Sequence, residues 1–277
     1  MKKYSLSILL LICVTAGAQR IKLDKGHQIV ITGSAVQEMD MSSMGMQMKN
    51  FTNTTGVIEI KDGDSKNYSA TYKLSKINIS IEAMGQQSSY DSEKPTDKDS
   101  EIGKSVADKV GKEIKVLLDK NSGKTTVEKN DTEEKKKDSL TNPLKEMMEN
   151  FGAADEGATV ETAFFIIPSA KKAGDNWVDS VKTKDMKEVK TYTLKSINGT
   201  EAIVSLFSIM EGSRTIEMQG MQMDITIHAK SEGQIIVNVK NSLVKKRSSV
   251  SDITANIEVM GQSMPMTSKV TANTEYK

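Results

Sequence analysis

Long runs of alternating apolar and polar residues dominate this chain, and a period of two is the signature of a strand with one buried face. Tyr68, Ala70, Tyr72 and Leu74 share one side, and the alternation resumes one residue out of phase at Ile77, Ile79, Ile81 and Ala83. A slip of one residue within a strand is what a β-bulge produces, and bulges bend sheets. In the second half Met221, Met223, Ile225, Ile227 and Ala229 alternate, then Ile235, Val237 and Val239, then Ile253, Ala255, Ile257 and Val259. Met264, Met266, Ser268, Val270, Ala272, Thr274 and Tyr276 close the chain. Residues 186–197 and 201–210 flank Asn198-Gly199, a strong short-range hairpin signal. Shorter β-branched runs occupy residues 27–36 and 56–61.

The middle of the chain changes period. Ile102, Val106 and Val110 recur at fourfold spacing, which predicts a short amphipathic helix over 99–111. Ile114, Val116 and Leu118 alternate again, and Asp119-Lys120-Asn121-Ser122-Gly123 reads as a turn. Residues 128–139 have almost no apolar content and read as an exposed loop. A second helix is predicted over 142–152, with Asn142 as cap, Pro143 in the first turn, a stripe of Leu144, Met147, Met148 and Phe151, and Gly152 as stop. Phe164-Phe165-Ile166-Ile167-Pro168 reads as a buried segment ended by its proline.

These elements predict a mainly β fold: one large curved antiparallel sheet, or an open or half barrel, with two short helices packed on it. Residues 19–277 are read as a single β-rich domain. Two similar β halves, about 21–127 and 177–277, would be joined by the helical, charged segment.

Four stretches repeat a theme of methionine, glycine and glutamine: residues 44–48, 84–87, 218–223 and 260–266. Each interrupts or ends an alternating run, so the glycines mark chain reversals or kinks. Thioethers are soft ligands for Cu(I) or Ag(I). Met39, Met41, Met44, Met46 and Met48 offer the Met-x-Met spacing of such sites as metal candidates, as do Met221/Met223 and Met264/Met266, each alternate pair sharing one strand face. The same alternate positions are what an apolar face requires. Methionine is unbranched and adaptable, so it equally fills irregular core space or lines a surface that accepts varied apolar ligands.

Composition narrows the chemistry. Aromatic residues make up 4% of the chain, so Ile, Val, Leu and Met must fill the core. Residues 1–18 read as a secretory signal, with Lys2 and Lys3 as its charged start, an apolar stretch over 6–14, and Ala16-Gly17-Ala18 as cleavage site. The expected location is therefore the periplasm or outside the cell, with no transmembrane segment in the mature chain. Cys13, the only cysteine, falls inside that signal, which leaves no disulfide or thiol chemistry. Losing Lys2 and Lys3 moves the formal charge from +1 to −1, so no global basic field attracts nucleic acid. Lys245-Lys246-Arg247 is a local basic cluster, read as a solvated strand face or edge guard.

Catalytic patterns are missing from the sequence. His27 and His228 are the two histidines, neither beside a nucleophile motif or a metal-spaced partner. Asp62 with Asp64, and Asp131 with Glu133 and Glu134, lie in lysine-rich stretches typical of solvated carboxylates. Asp175 beside Trp177 is an acidic–aromatic pairing, with Trp177 expected to anchor the core. No phosphate loop or dinucleotide fingerprint occurs, and no cofactor is expected.

The order of short motifs carries a resemblance. Tyr90-Asp91-Ser92, Val110-Gly111-Lys112, the 118–123 turn, Pro168 followed by Gly174-Asp175-Asn176-Trp177, Gly233-Gln234-Ile235-Ile236-Val237, and Val259 to Met266 occur in sequence. In this order they resemble an exported family of Bacteroidota known as domain of unknown function 6263, over most of the chain from about Ile21. Asn238, with Asn241-Ser242 after it, departs from the acidic residue and glycine expected near a turn. The resemblance implies an exported β-rich protein and supplies no activity or catalytic residues.

The expected function is non-enzymatic: binding of an apolar, lipid-like ligand or of a protein partner in the cell envelope. The alternatives are Cu(I)/Ag(I) binding through the methionine-rich segments and a structural or interaction module of the envelope.

Overall fold

A computed structural model describes residues 20–41, 45–128, 156–218, 221–259 and 261–277. The strands are β1 (Gln28–Met41), β2 (Met46–Gly63), β3 (Asn67–Ala83), β4 (Gln86–Asp91), β5 (Glu113–Asp119), β6 (Thr125–Val127), β7 (Asn176–Lys182), β8 (Met186–Asn198), β9 (Glu201–Met218), β10 (Met221–Asn238), β11 (Val244–Val259) and β12 (Gln262–Tyr276). Two helices complete the described chain, α1 (Glu101–Val106) and α2 (Glu156–Glu161), with a 3₁₀ turn at Pro95–Asp99 before α1. All twelve strands form one antiparallel sheet in the order β6-β5-β3-β2-β1-β12-β11-β10-β9-β8-β7, with β4 pairing the far half of β3. The expectation of a mainly β fold built on a large sheet is met. β1 and β12, the first and last strands, pair from Ile31↔Tyr276 to Asp40↔Thr267, so the two β halves are one sheet.

The phase slip in β3 is a bulge. Gly56 of β2 faces Leu74 while its neighbour Thr55 faces Lys76, which leaves Ser75 as the extra residue. Ile77, Ile79 and Ile81 thereby return to the face that carries Tyr72 and Ala70. The hairpin at Asn198-Gly199 is also present, one residue further on. Asn198 pairs with Glu201, so Gly199 and Thr200 form the tip, with Gly199 alone at positive φ (62°), the preference of a type II′ turn.

The sheet curls at one end, and the chain itself proves it. Thr125 Oγ1 in β6 donates to Gly157 O at 2.8 Å, while Val244 N at the start of β11 donates to Ala163 O at 2.9 Å. Six strand spacings separate β6 from β11, about 29 Å across a flat sheet. The six residue steps from Gly157 to Ala163 reach at most ~20 Å when extended, and part of the segment is helical. The base of the sheet must therefore close around this segment. Val160, Ala163, Phe164 and Ile167 fill the enclosed space against Ile29, Ile58, Tyr68, Val116, Val204 and Val237. Phe164 adds a bridge to Leu243, which makes the predicted apolar segment before Pro168 a buried plug.

Helix placement departs from expectation. The helix predicted over 99–111 is confined to Glu101–Val106, because Ser100 caps it (Oγ accepts from Gly103 N at 3.0 Å) and the 3₁₀ turn occupies the residues before it. Its Ile102 packs on Ile79, Ile81 and Tyr90. The helix predicted over 142–152 and the loop at 128–139 lie largely or wholly outside the described residues, as does the 1–18 segment. α2 has no counterpart in the sequence reading. Among the described residues, no helix is long and apolar enough to cross a membrane.

Candidate binding face

Strand register sorts every side chain onto one of two faces. The inner face carries Ile29 and Ile31 of β1, and the same odd-numbered series continues through Gly33, Ala35 and Gln37 to Met39 and Met41. Across the six central strands (β2, β1, β12, β11, β10 and β9) this face has three zones. The base is the apolar core around the plug.

The opposite end is a methionine cluster. Met39 opposes Met48, Met41 opposes Met46, and Met266 joins them from β12 with Ala255 and Ile227. Met39, Met41 and Met266 are 4%, 8% and 2% exposed.

Between these zones runs a belt of small, half-buried residues. Ala35 faces Ala272, Ala272 faces Ser249, and Ser249 faces Gly233 in one row. In the next row Gln37 faces Val270, Val270 faces Ser251, and Ser251 faces Ser231, their hydroxyl oxygens 2.7 Å apart. Mostly short side chains over these two rows, half-buried between two packed ends, make this stretch of the face a shallow trough.

Charge is sparse on the inner face of these six strands. Among the described residues on the inner face of these six strands there is no Asp, Glu or Lys; Arg214 and Arg247 are the charged groups. The outer face of these strands carries ion pairs that include Lys49–Glu38 at 2.8 Å, Lys230–Glu232 at 2.8 Å and Lys246–Glu275 at 3.9 Å, while on the inner face the adjoining β8 carries Lys190–Glu188 at 3.0 Å. Two outer depressions, one near Lys76, Glu93 and Lys246 and one near Glu38, Asp40 and Lys269, are lined by such mixed charges. They have the chemistry of solvated surface.

The methionine–glycine–glutamine stretches fall together at one end of the sheet. They form the β1–β2, β3–β4, β9–β10 and β11–β12 tips, neighbours along the rim, with Gly45, Gly85 and Gly261 at φ of 64°, 75° and 78°. Gly45, Gly85 and Gly261 supply reversals that the sequence predicts. Of the metal candidates, the structure brings Met39, Met41, Met46 and Met48 into one cluster and adds Met266, which sequence reasoning left apart; Met44 lies outside the described residues.

The remaining candidates are structural. Asp175 Oδ2 accepts from Lys172 N at 2.8 Å and closes a turn. Trp177 stacks on Tyr192 with ring centroids 5.4 Å apart, and Phe165 tilts against both, so Trp177 anchors the β7–β8 edge to the plug. Asp64 Oδ1 accepts from Lys66 N and Asn67 N, and these backbone bonds hold its carboxyl below the usual range. His228 is exposed, 3.9 Å from Glu211. Among the described residues no three His, Asp or Glu side chains gather as metal ligands.

The chain belongs to a family described as "Family of unknown function (DUF6263)", whose profile matches residues 65–244. No curated protein matches the sequence. Among solved structures the fold is similar to one titled "Lipid-protein interactions in lipovitellin", with a TM-score of 0.51 and 12% identity. That match covers 92% of this chain and 25% of the lipovitellin chain.

Proposed function

We propose that this chain is an exported, non-enzymatic binding protein that holds an apolar, lipid-like ligand along the inner face of its sheet. The observation that carries this reading is the trough itself: two rows of uncharged, mostly small side chains between a sealed apolar base and a methionine cluster. Adaptable methionines at one end suit ligands of varied shape. The fold is also similar to that of the lipovitellin structure, whose title names lipid–protein interactions. Mass spectrometry of organic extracts of the purified protein tests the reading, together with uptake of a fluorescent long-chain lipid. Co-purifying lipid or saturable uptake is expected; a clean extract with no uptake contradicts it.

The clustering of Met266 with Met39, Met41, Met46 and Met48 favours a second reading, in which the rim holds a soft ion such as Cu(I) or Ag(I). Retention of Cu(I) against a competing chelator is its test.

A further inference from the structure

We propose that the ligand of the trough is an anionic amphiphile whose head group is held by Arg247, with its chain running over the belt toward the methionine cluster. This rests on the reading that the inner face takes an apolar ligand, and adds what charge that ligand carries.

Arg247 occupies the inner face where the apolar base ends and the belt begins. It lies opposite Ile235 on one side and Thr274 on the other. Its immediate neighbours in sequence go elsewhere: Lys245 pairs with Glu201, and Lys246 with Glu275, on the charged outer side. Among the described residues of the six central strands, no carboxylate shares the face of Arg247. The same-face carboxylates Glu188, paired with Lys190 at 3.0 Å, and Asp179 lie on β8 and β7. The Arg247 Nε, like that of Arg214, is shut off from solvent without a hydrogen-bond acceptor. Buried donors are almost always paired in folded proteins, and an exception points to a missing partner. The charge is felt by the surrounding phenols, since Arg247 lowers the titration of both Tyr192 and Tyr276 against the dominant effect of their burial.

The planar fork of arginine matches a carboxylate or a phosphate bidentately. From Arg247 the same face of β11 continues through Ser249 and Ser251 to Ile253 and Ala255, which packs in the methionine cluster. That path is about 26 Å long at strand rise, the scale of a long acyl chain. Arg214, the other charged group, lies opposite Ile225, far along the strand direction beside the methionine rim.

The test compares a fluorescent long-chain carboxylate with its own methyl ester, which keeps the chain and removes the charge. The expected result is carboxylate binding at least about ten-fold tighter than ester, the range of a charge-assisted hydrogen bond. R247Q is expected to bind both probes with the wild-type ester affinity, and R214Q to keep the preference. R247L, which retains the apolar stem, replaces R247Q if the latter does not fold. Equal binding of the two probes by the wild type overturns the anionic ligand and leaves the apolar reading standing. A preference that survives R247Q, or is lost in R214Q, overturns the role of Arg247. No binding of either probe removes the apolar reading and this proposal with it.

Discussion

Tyr276, the penultimate residue, donates its hydroxyl hydrogen to Thr162 Oγ1 at 3.0 Å and so ties the last strand to the plug that closes the base of the sheet. The ring is buried in the same core as Val160 and Phe164. Tyr276→Phe keeps the ring and removes the bond, leaving the Thr162 hydroxyl without it. A loss of about 1 kcal/mol in urea unfolding is expected.

The same tyrosine predicts an alkaline transition. Burial pushes the phenol of Tyr276 above its ordinary value, with the Thr162 bond and Arg247 opposing. A phenol raised by folding contributes stability that is complete below the unfolded value, about pH 10, and is lost as pH rises through the folded value. Wild-type stability should fall above pH ~10 more steeply than that of Tyr276→Phe, read by unfolding at a series of alkaline pH values. Parallel curves would show that Tyr276 does not contribute.

Gly56 is the narrow point beside the bulge. A Cβ built there would lie 2.7 Å from Cε2 of the Tyr72 ring. Gly56→Val must push that buried ring away, and a loss of about 1–3 kcal/mol follows from overpacking. Thermal unfolding measures it; an unchanged midpoint would mean the ring has room to move.

Ser242 adopts a left-handed backbone (φ 62°) while fully buried, and its Oγ has no hydrogen-bond partner. This is the neighbourhood where family resemblance leads one to expect a glycine. Ser242→Gly relieves both the conformational cost and the unpaired hydroxyl, so a gain of about 1 kcal/mol is expected from denaturant unfolding.

The methionine cluster separates packing from metal binding. A joint substitution of Met39, Met41 and Met266 by Leu preserves apolar volume and should cost less than about 1.5 kcal/mol per site. If the cluster serves packing, wild type and variant release Cu(I) to a chelator alike. Retention by the wild type alone would establish the soft-metal site.

Much of this architecture was legible in the sequence, where the two faces of a strand differ in polarity. The bulge at Ser75, the hairpin beyond Asn198 and the closing strand all follow from alternation. β2 over residues 46–55 and β11 over 244–252 were not legible as strands. Their inner positions include Asn50, Thr52, Thr54, Ser249 and Ser251, so the period of two loses its contrast where the trough requires small polar residues. The six residues of α2 are too short to show a helical period. Arg247 was hidden in a basic triplet, yet it is in phase with Ile253, Ala255 and Ile257. Extending that phase backward separates it from Lys246, while Lys245, which shares the phase, is set apart only by the bulge between the Ile236↔Lys246 and Val237↔Val244 pairs.

Occupation of the inner face can be read directly from Trp177, the only tryptophan, which stacks on Tyr192 at the edge of that face. The decisive measurement is titration of the purified protein with a dibrominated long-chain fatty acid while following Trp177 fluorescence. Saturable, stoichiometric quenching that an unbrominated fatty acid competes away is the expected result. Fluorescence that stays constant up to the solubility limit of the acid would contradict a ligand-holding inner face.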